Sequence, residues 1–385
     1  MRDFTSKTVR ALKPSGIRKF FDIASTMEDC ISLGVGEPDF DTPWHITEEG
    51  IYALEQGYTF YTSNQGMPEL RREICKYLKR RQGLNYEPSQ IVVTTGGSEA
   101  VDLAMRAILD PGDEVIVLDP SYVCYEPDVL LAGGVPVKVQ LKAENEFRIT
   151  PEELEACITD KTKAVILNYP NNPTGAIMGK EDLEKIAKVF IEHDLLAVTD
   201  EIYGELTYSG EHVSIASIPG MQERTLLING FSKAYSMTGW RLGYLAGPSS
   251  IIDQAKKIHQ FAIMCAPTLS QYAGVEALRN GDKDVEAMRK EYDRRRKYLY
   301  AELQKLGLPC FEPKGAFYIF PSIASTGKTS EDFCLDLLEK ERLVVVPGTA
   351  FGESGEGFVR ISYAYSLDSL KEAMKRLGRY LKSLK

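Results

Sequence analysis

The chain is 385 residues long and 43% hydrophobic, with a formal net charge of −9. That allows a large core, divided between one big and one smaller domain, and excludes a disordered chain; the acidic balance argues against nucleic acid or an anionic membrane as partner, and no apolar stretch approaches the roughly 20 residues of a membrane span. Seven scattered cysteines without a C-x-x-C spacing suit reduced thiols in a cytoplasmic protein, and the four histidines show no metal-ligand spacing, so no metal site is expected.

Residues 1–20 are basic and contain Ser and Thr, a faint transit-peptide character that is set aside because KPSGIRKFFDIAS is similar to the mature start of a known enzyme family. A short amphipathic helix is predicted around Ile17–Ala24, then the turn-rich ISLGVGEPDFDTP, where Gly34, Gly36 and Pro38 mark tight bends. Helical patterns over His45–Gln56 and onward to Arg80 flank the aromatic loop GYTFYTSNQGMPELR, in which Tyr61 by its chemistry alone is a packing residue. Ile91–Gly97, IVVTTGG, reads as a strand feeding the helix SEAVDLAMRAIL. A Gly-Gly-Ser junction of this kind aims free N–H groups and the positive end of a helix at one point, which suits a phosphate. Gly97, Ser98 and Glu99 are the candidates, through their backbone, with the Ser98 hydroxyl as a further donor.

A strand over Glu114–Leu118 leads to a loop carrying Tyr122 and Tyr125; an aromatic there could stack on a flat ring or pack in the core. A helix opened by Thr150-Pro151, the strand KAVILNYP and the turn NNPTG follow. Past an amphipathic helix at Glu181–Glu192, Asp200 ends an apolar strand, where α/β sheets place reactive side chains and where a carboxylate is costly without a cation. In Asn229–Gly243, NGFSKAYSMTGWRLG, Lys233 follows Ser232 and precedes Arg241 by eight positions. A desolvated lysine amine is a covalent nucleophile, and an arginine among glycines can clamp a phosphate. The stretch therefore suits a covalently held cofactor that carries a phosphate. Ile251–Leu306 is mostly helical, with Arg294–Arg296 expected on a solvated face. Strands at Ala316–Phe320, Val344–Val346 and Phe358–Ser362 then build a smaller α+β unit, in which Arg360 alone would be an ordinary strand-edge arginine.

Read together, LGVGEPDFDTP, NPTG, DEIY, SKAYSMTGWRLGY and FVRISYA resemble, in order and nearly end to end, the class I/II aminotransferases of fold type I, which depend on pyridoxal 5′-phosphate (PLP). The resemblance implies an α/β fold with a mostly parallel seven-stranded sheet between helices. It assigns residues 45–285 to a large PLP-binding domain, and 1–44 with 286–385 to a small one. PLP is expected as an imine on Lys233, its phosphate held by Gly97, Ser98, Glu99, Ser232 and Arg241. Tyr122 stacks on the ring, Asn172 and Tyr203 contact its phenolic oxygen, and Asp200 keeps its nitrogen protonated so that it acts as an electron sink. Tyr61 reaches the phosphate of the other subunit in a homodimer. Gly36, Asn172 and Arg360 bind the substrate, Arg360 as a clamp on the α-carboxylate. Some branches place a serine three residues before the lysine, where this chain has Gly230.

The implied activity moves an amino group from an L-amino acid to a 2-oxo acid such as 2-oxoglutarate in two half-reactions, with ping-pong kinetics. C–S lysis and decarboxylation share the site chemistry, and a non-catalytic regulator of the same fold usually carries an added DNA-binding module for which this chain leaves no room. MTGWRLGY, GAFYIFP and SGIRKF are most similar to the aromatic and broad-specificity group of bacteria and archaea. Pocket walls near Ile17, Phe20 and Tyr61 favour an aromatic or large apolar donor. Aspartate or alanine donors are the alternatives, with Arg18 and Lys19 as cations at hand.

Overall fold

The computed structural model describes residues 2–14, 16 and 27–384; the helix expected around Ile17–Ala24, and with it Ile17, Arg18, Lys19 and Phe20, lies outside them. Twelve strands are described: β1 (Ile31–Ser32), β2 (Ile91–Thr94), β3 (Glu114–Asp119), β4 (Val135–Gln140), β5 (Thr162–Asn168), β6 (Leu196–Asp200), β7 (Thr225–Gly230), β8 (Gly243–Ala246), β9 (Tyr318–Ile319), β10 (Leu343–Val344), β11 (Val346–Pro347) and β12 (Val359–Ser362). Seven form one sheet in the order β2-β8-β7-β6-β5-β3-β4. Its pairs are parallel except that β8 runs against both β2 and β7. The central strands are apolar and buried along most of their length, as parallel strands covered on both faces must be. The helices Gly97–Ile108 and Ser249–Ala262 pack with one apolar cluster, and Lys180–Glu192 with another.

The carboxyl ends of β5, β6 and β7 deliver Asn168, Asp200 and Gly230 to one edge of the sheet. The expected strand Ile91–Gly97 stops at Thr94, because Gly96 takes φ +84 and starts a helix at Gly97. Gly243 in β8 lies against that turn.

The C-terminal part builds most of a further apolar cluster, which Leu33, Tyr203 and Leu206 also enter. There β9, β12 and β11 form an antiparallel sheet, while β10 pairs in parallel with β1 from the start of the chain. The strand expected at Val344–Val346 is thus two short strands serving different sheets, and the one expected at Ala316–Phe320 is confined to Tyr318–Ile319. The expectation for Arg294–Arg296 is corrected. Arg294 is exposed, but Arg295 and Arg296 are buried. Helix Asp282–Lys305 turns them towards carboxylates: Arg295 Nη1 donates to Asp39 at 2.7 Å, and Arg296 Nη1 to Glu312 at 2.6 Å. No helix among the described residues is long and apolar enough to cross a membrane.

A Cβ at Gly243 would stand 2.7 Å from the carbonyl carbon of Gly96 and 2.9 Å from the Gly97 nitrogen. Both are backbone, so Gly243→Ala must move β8 or the turn, at about 1–3 kcal/mol. The expected result is a lower urea midpoint with an unchanged m-value.

Candidate active site

A cavity of about 310 Å³ opens at this sheet edge. Of the residues singled out in the sequence, Gly36, Gly97, Ser98, Tyr122, Asn172, Asp200, Tyr203, Ser232, Lys233, Arg241 and Arg360 line it. They come from seven separate stretches of chain, gathered by the strand ends of the large sheet and by β12.

Lys233 follows β7, and its Nζ donates to the Gly36 carbonyl at 2.6 Å. The surrounding protein strips water from the ammonium and lowers its pKa to about 8, against the opposing pull of Glu37 and with help from Arg360 and Arg241. Asp200 closes β6. Its carboxylate accepts the Ile202 N–H at 3.1 Å and the Tyr125 hydroxyl at 2.8 Å, yet burial still raises its pKa to about 6. Such a carboxylate is suited to a cation that arrives with a ligand.

Gly96 and Arg241 form the other wall. A Cβ at Gly96 would come within 2.5 Å of Arg241 Nη2, so only glycine lets the guanidinium lie on this turn. Arg241 Nη1 donates to the Thr238 carbonyl at 3.0 Å and Nη2 to that of Thr95 at 3.3 Å. A guanidinium beside the N-terminus of helix Gly97–Ile108 puts two positive features together, an arrangement that an anion between them stabilises. Gly230 also has a steric reason. A Cβ there would stand 2.9 Å from the Leu242 carbonyl oxygen, so a serine could not enter without moving β8.

Arg360, in β12, is buried. Its Nη1 donates to Asn172 Oδ1 at 2.9 Å, its Nη2 donates to the Gly34 carbonyl, and its Nε has no hydrogen-bond partner. With Oδ1 so held, Asn172 has its NH₂ left to donate. A buried guanidinium bonded to neutral acceptors, with one N–H left over, calls for an anionic ligand.

Three residues from the sequence reading are not in the lining. Glu99 turns its carboxylate away, accepting from Thr95 and, at 2.6 Å, from Nδ1 of the buried His259. Tyr61 is 82% exposed, outside the cavity of its own chain. Ile17 lies outside the described residues. Two residues enter that sequence reasoning did not place. Tyr125, left open between ring stacking and core, holds Asp200; its spacing from Tyr122 was the only signal. Tyr318 bonds Tyr203, hydroxyl to hydroxyl, at 2.7 Å, and nothing in GAFYIFP marks it beyond being aromatic.

The donor set fits PLP. An enclosed amine with a lowered pKa, a phosphate-sized cradle of helix terminus and guanidinium, and a lone buried carboxylate across the cavity answer the aldehyde, phosphate and ring nitrogen of that molecule.

The family described as aminotransferase class I and II matches residues 28–377. The chain is 52% identical to a putative aminotransferase, YugH, of Bacillus subtilis strain 168, over 99% of both chains. It is 50% identical to an aspartate aminotransferase of Pyrococcus abyssi, over 97% of each. The solved structure of an aromatic aminotransferase from Pyrococcus horikoshii OT3 matches with a TM-score of 0.91 at 48% identity, covering 95% of this chain and 99% of that one. The sheet order, the cavity and these likenesses agree, and the chain belongs to the class I and II aminotransferases: it is a PLP-dependent enzyme of fold type I that transfers an amino group from an amino acid to a 2-oxo acid.

Proposed function

We propose that this aminotransferase acts best on amino acids with aromatic or other large apolar side chains. One observation carries the reading: the described cavity lining holds three cations, Lys233, Arg241 and Arg360, and the reaction uses all three. Cofactor attachment, phosphate and α-carboxylate leave none for a carboxylate on the side chain. The remaining walls include Tyr122, Ile202 and Tyr318. Burying an apolar side chain there is worth roughly 1.5–3 kcal/mol, whereas an uncompensated carboxylate is penalised. Relatives are named for both aspartate and aromatic substrates, so the names alone leave the choice open. The acceptor 2-oxoglutarate brings a second carboxylate whose cation must come from outside this lining; Arg18 and Lys19 are the nearest in sequence to the cavity's entry loop.

The same geometry supports a set of residue roles. PLP, when bound, supplies a ring that draws electrons from the substrate's α-carbon. Lys233 binds it and then, as an amine with a pKa near 8, takes the proton from that α-carbon. Arg241, Ser232 and the Gly97–Glu99 backbone hold the phosphate. Tyr122 would cover one face and exclude water, Asn172 and Tyr203 would donate to the ring oxygen, and Asp200 would set a negative charge against the ring nitrogen. Arg360 and Gly36 orient the α-carboxylate. The large unit spans 45–285, and 1–44 with 286–385 form the small one, a division supported by an apolar cluster drawn mostly from residues after 285, with Leu33 from the start of the chain and Tyr203 and Leu206 at the boundary. The cysteines, all unpaired, are consistent with a cytoplasmic enzyme.

The enzyme is further inferred to be a homodimer in which Tyr61 serves the partner's site. Phe60, Tyr61 and Phe261 are more than 80% exposed, and they are joined into one surface by the Thr268 hydroxyl bond to the Phe60 carbonyl and the Asn64 amide bond to that of Met264. An apolar patch of that kind marks an interface.

Three measurements test these readings. In single-turnover half-reactions, phenylalanine and tyrosine should exceed aspartate in kcat/KM; an aspartate advantage of about tenfold, or 1.4 kcal/mol, would reverse the substrate assignment. Mixed dimers of Lys233→Ala and Tyr61→Ala chains should regain one working site each, and activity no higher than that of the separate variants places Tyr61 in its own chain's site or in none. The third concerns Asp200, whose folded-state pKa of about 6 lies above the ordinary 3.8. In cofactor-free protein its contribution is fully present below pH 4 and is lost as pH rises through 6, a cost on the order of 3 kcal/mol. Asp200→Asn should therefore stabilise the cofactor-free protein at pH 8 in urea denaturation, while weakening PLP binding.

A further inference from the structure

The Tyr203 and Tyr318 hydroxyls meet at 2.7 Å, but they arrive from opposite sides of the cavity. Tyr203 follows β6, whereas Tyr318 lies in β9, hydrogen-bonded to the strand that carries Arg360. Both side chains are buried. Tyr318 is fixed on several sides: its ring lies 4.5 Å from the Arg360 guanidinium and edge-on to Phe317, and its hydroxyl abuts Gly36, where a Cβ would come within 2.3 Å.

A phenol has one proton to donate, so only one member of this pair donates to the other. The Arg360 charge over the Tyr318 ring draws electron density from that phenol and makes it the better donor. Burial pushes both hydroxyls up from the ordinary tyrosine value, and at Tyr318 the arginine is the strongest opposing influence. With its lone pair taken by Tyr318, Tyr203 has its own proton left for the cavity.

We propose that Tyr318 is a positioning residue: by donating its hydroxyl proton to Tyr203 it directs the Tyr203 proton at the cofactor's ring oxygen, and it ties that orientation to the strand bearing Arg360. The proposal rests on the reading of Tyr203 as a donor to that oxygen. Other titratable groups around the pair include Arg360 from β12, Tyr122 from the loop after β3, and Lys233 after β7, whose Nζ is 5.9 Å from the Tyr203 ring centroid, with the Tyr292, Tyr363 and Tyr365 phenols beyond Tyr318. Phenylalanine variants of the two tyrosines leave these groups in place.

The test is a pH titration of the visible absorption of the PLP-loaded enzyme and of Tyr203→Phe, Tyr318→Phe and the double variant. A donor to the ring oxygen stabilises the deprotonated form of the bound cofactor, so Tyr203→Phe should raise the midpoint. Tyr318→Phe should raise it by roughly 10–30% of that amount, the strengthening that one hydrogen bond lends the next. The double variant should match Tyr203→Phe alone. If Tyr203→Phe shifts the midpoint and Tyr318→Phe does not, the proposal is overturned while the reading of Tyr203 stands. An equal Tyr318→Phe shift in both backgrounds also overturns it, because the effect then bypasses Tyr203. No shift in Tyr203→Phe itself removes the reading of Tyr203, and the proposal with it.

Discussion

Three cations are held in one cavity without a carboxylate bonded to any of them, and the rest of the site depends on that. The donors of Lys233, Arg241 and Arg360 go to the carbonyls of Gly36, Thr238, Thr95 and Gly34, and to the amide oxygen of Asn172. Neutral acceptors orient a cation and leave its charge unspent. The contrast with the buried Arg295 and Arg296 is direct: they are matched to Asp39, Glu291, Asp293 and Glu312, and they serve packing. Holding like charges together is unfavourable in a poorly solvated space, so the cavity is primed for a ligand with anionic groups at two ends. A phosphate at one wall and a carboxylate at the other would answer these charges.

The glycines are the means by which the backbone gets close enough. Gly96 lets a guanidinium lie on the turn, Gly243 lets β8 run beside it, and Gly36 lets Tyr318 reach its partner. Each is a place where the missing side chain creates contact between distant stretches, so the site is as much a matter of backbone approach as of functional groups.

Much of this was legible in the sequence. The strand end carrying Asp200 follows from a buried apolar run, and the stretch around Lys233 announces a phosphate-bearing cofactor because its lysine, arginine and glycines sit close in the chain. What was not legible depends on contacts between distant segments. The Arg295 and Arg296 pairs reach Asp39 and Glu312, which helical periodicity cannot register. The split between β10 and β11 arises because two sheets compete for adjacent residues. Tyr125 and Tyr318 earned no role because an aromatic in a core strand and one beside a carboxylate look alike until their neighbours are known. Glu99 shows the opposite case: its position in the first turn is right for the cradle, but its side chain is spent on Thr95 and His259.

The parallel pairing of β1 with β10 joins the first strand of the described chain to one near its end. A ribosome makes these segments far apart in time, and chains tend to fold from the N-terminus as they emerge. The seven-stranded sheet can assemble once Ala246 has been made, because all its strands precede that point. The segment around Ile31 cannot settle then. It must wait, unpaired, until Leu343 and Val344 appear, and Leu33 and Ser362, which bond backbone to backbone, come to rest only after that. The large sheet is therefore complete on the nascent chain before the strand that bears Arg360, and the segment around Ile31 finds its partner only late in synthesis.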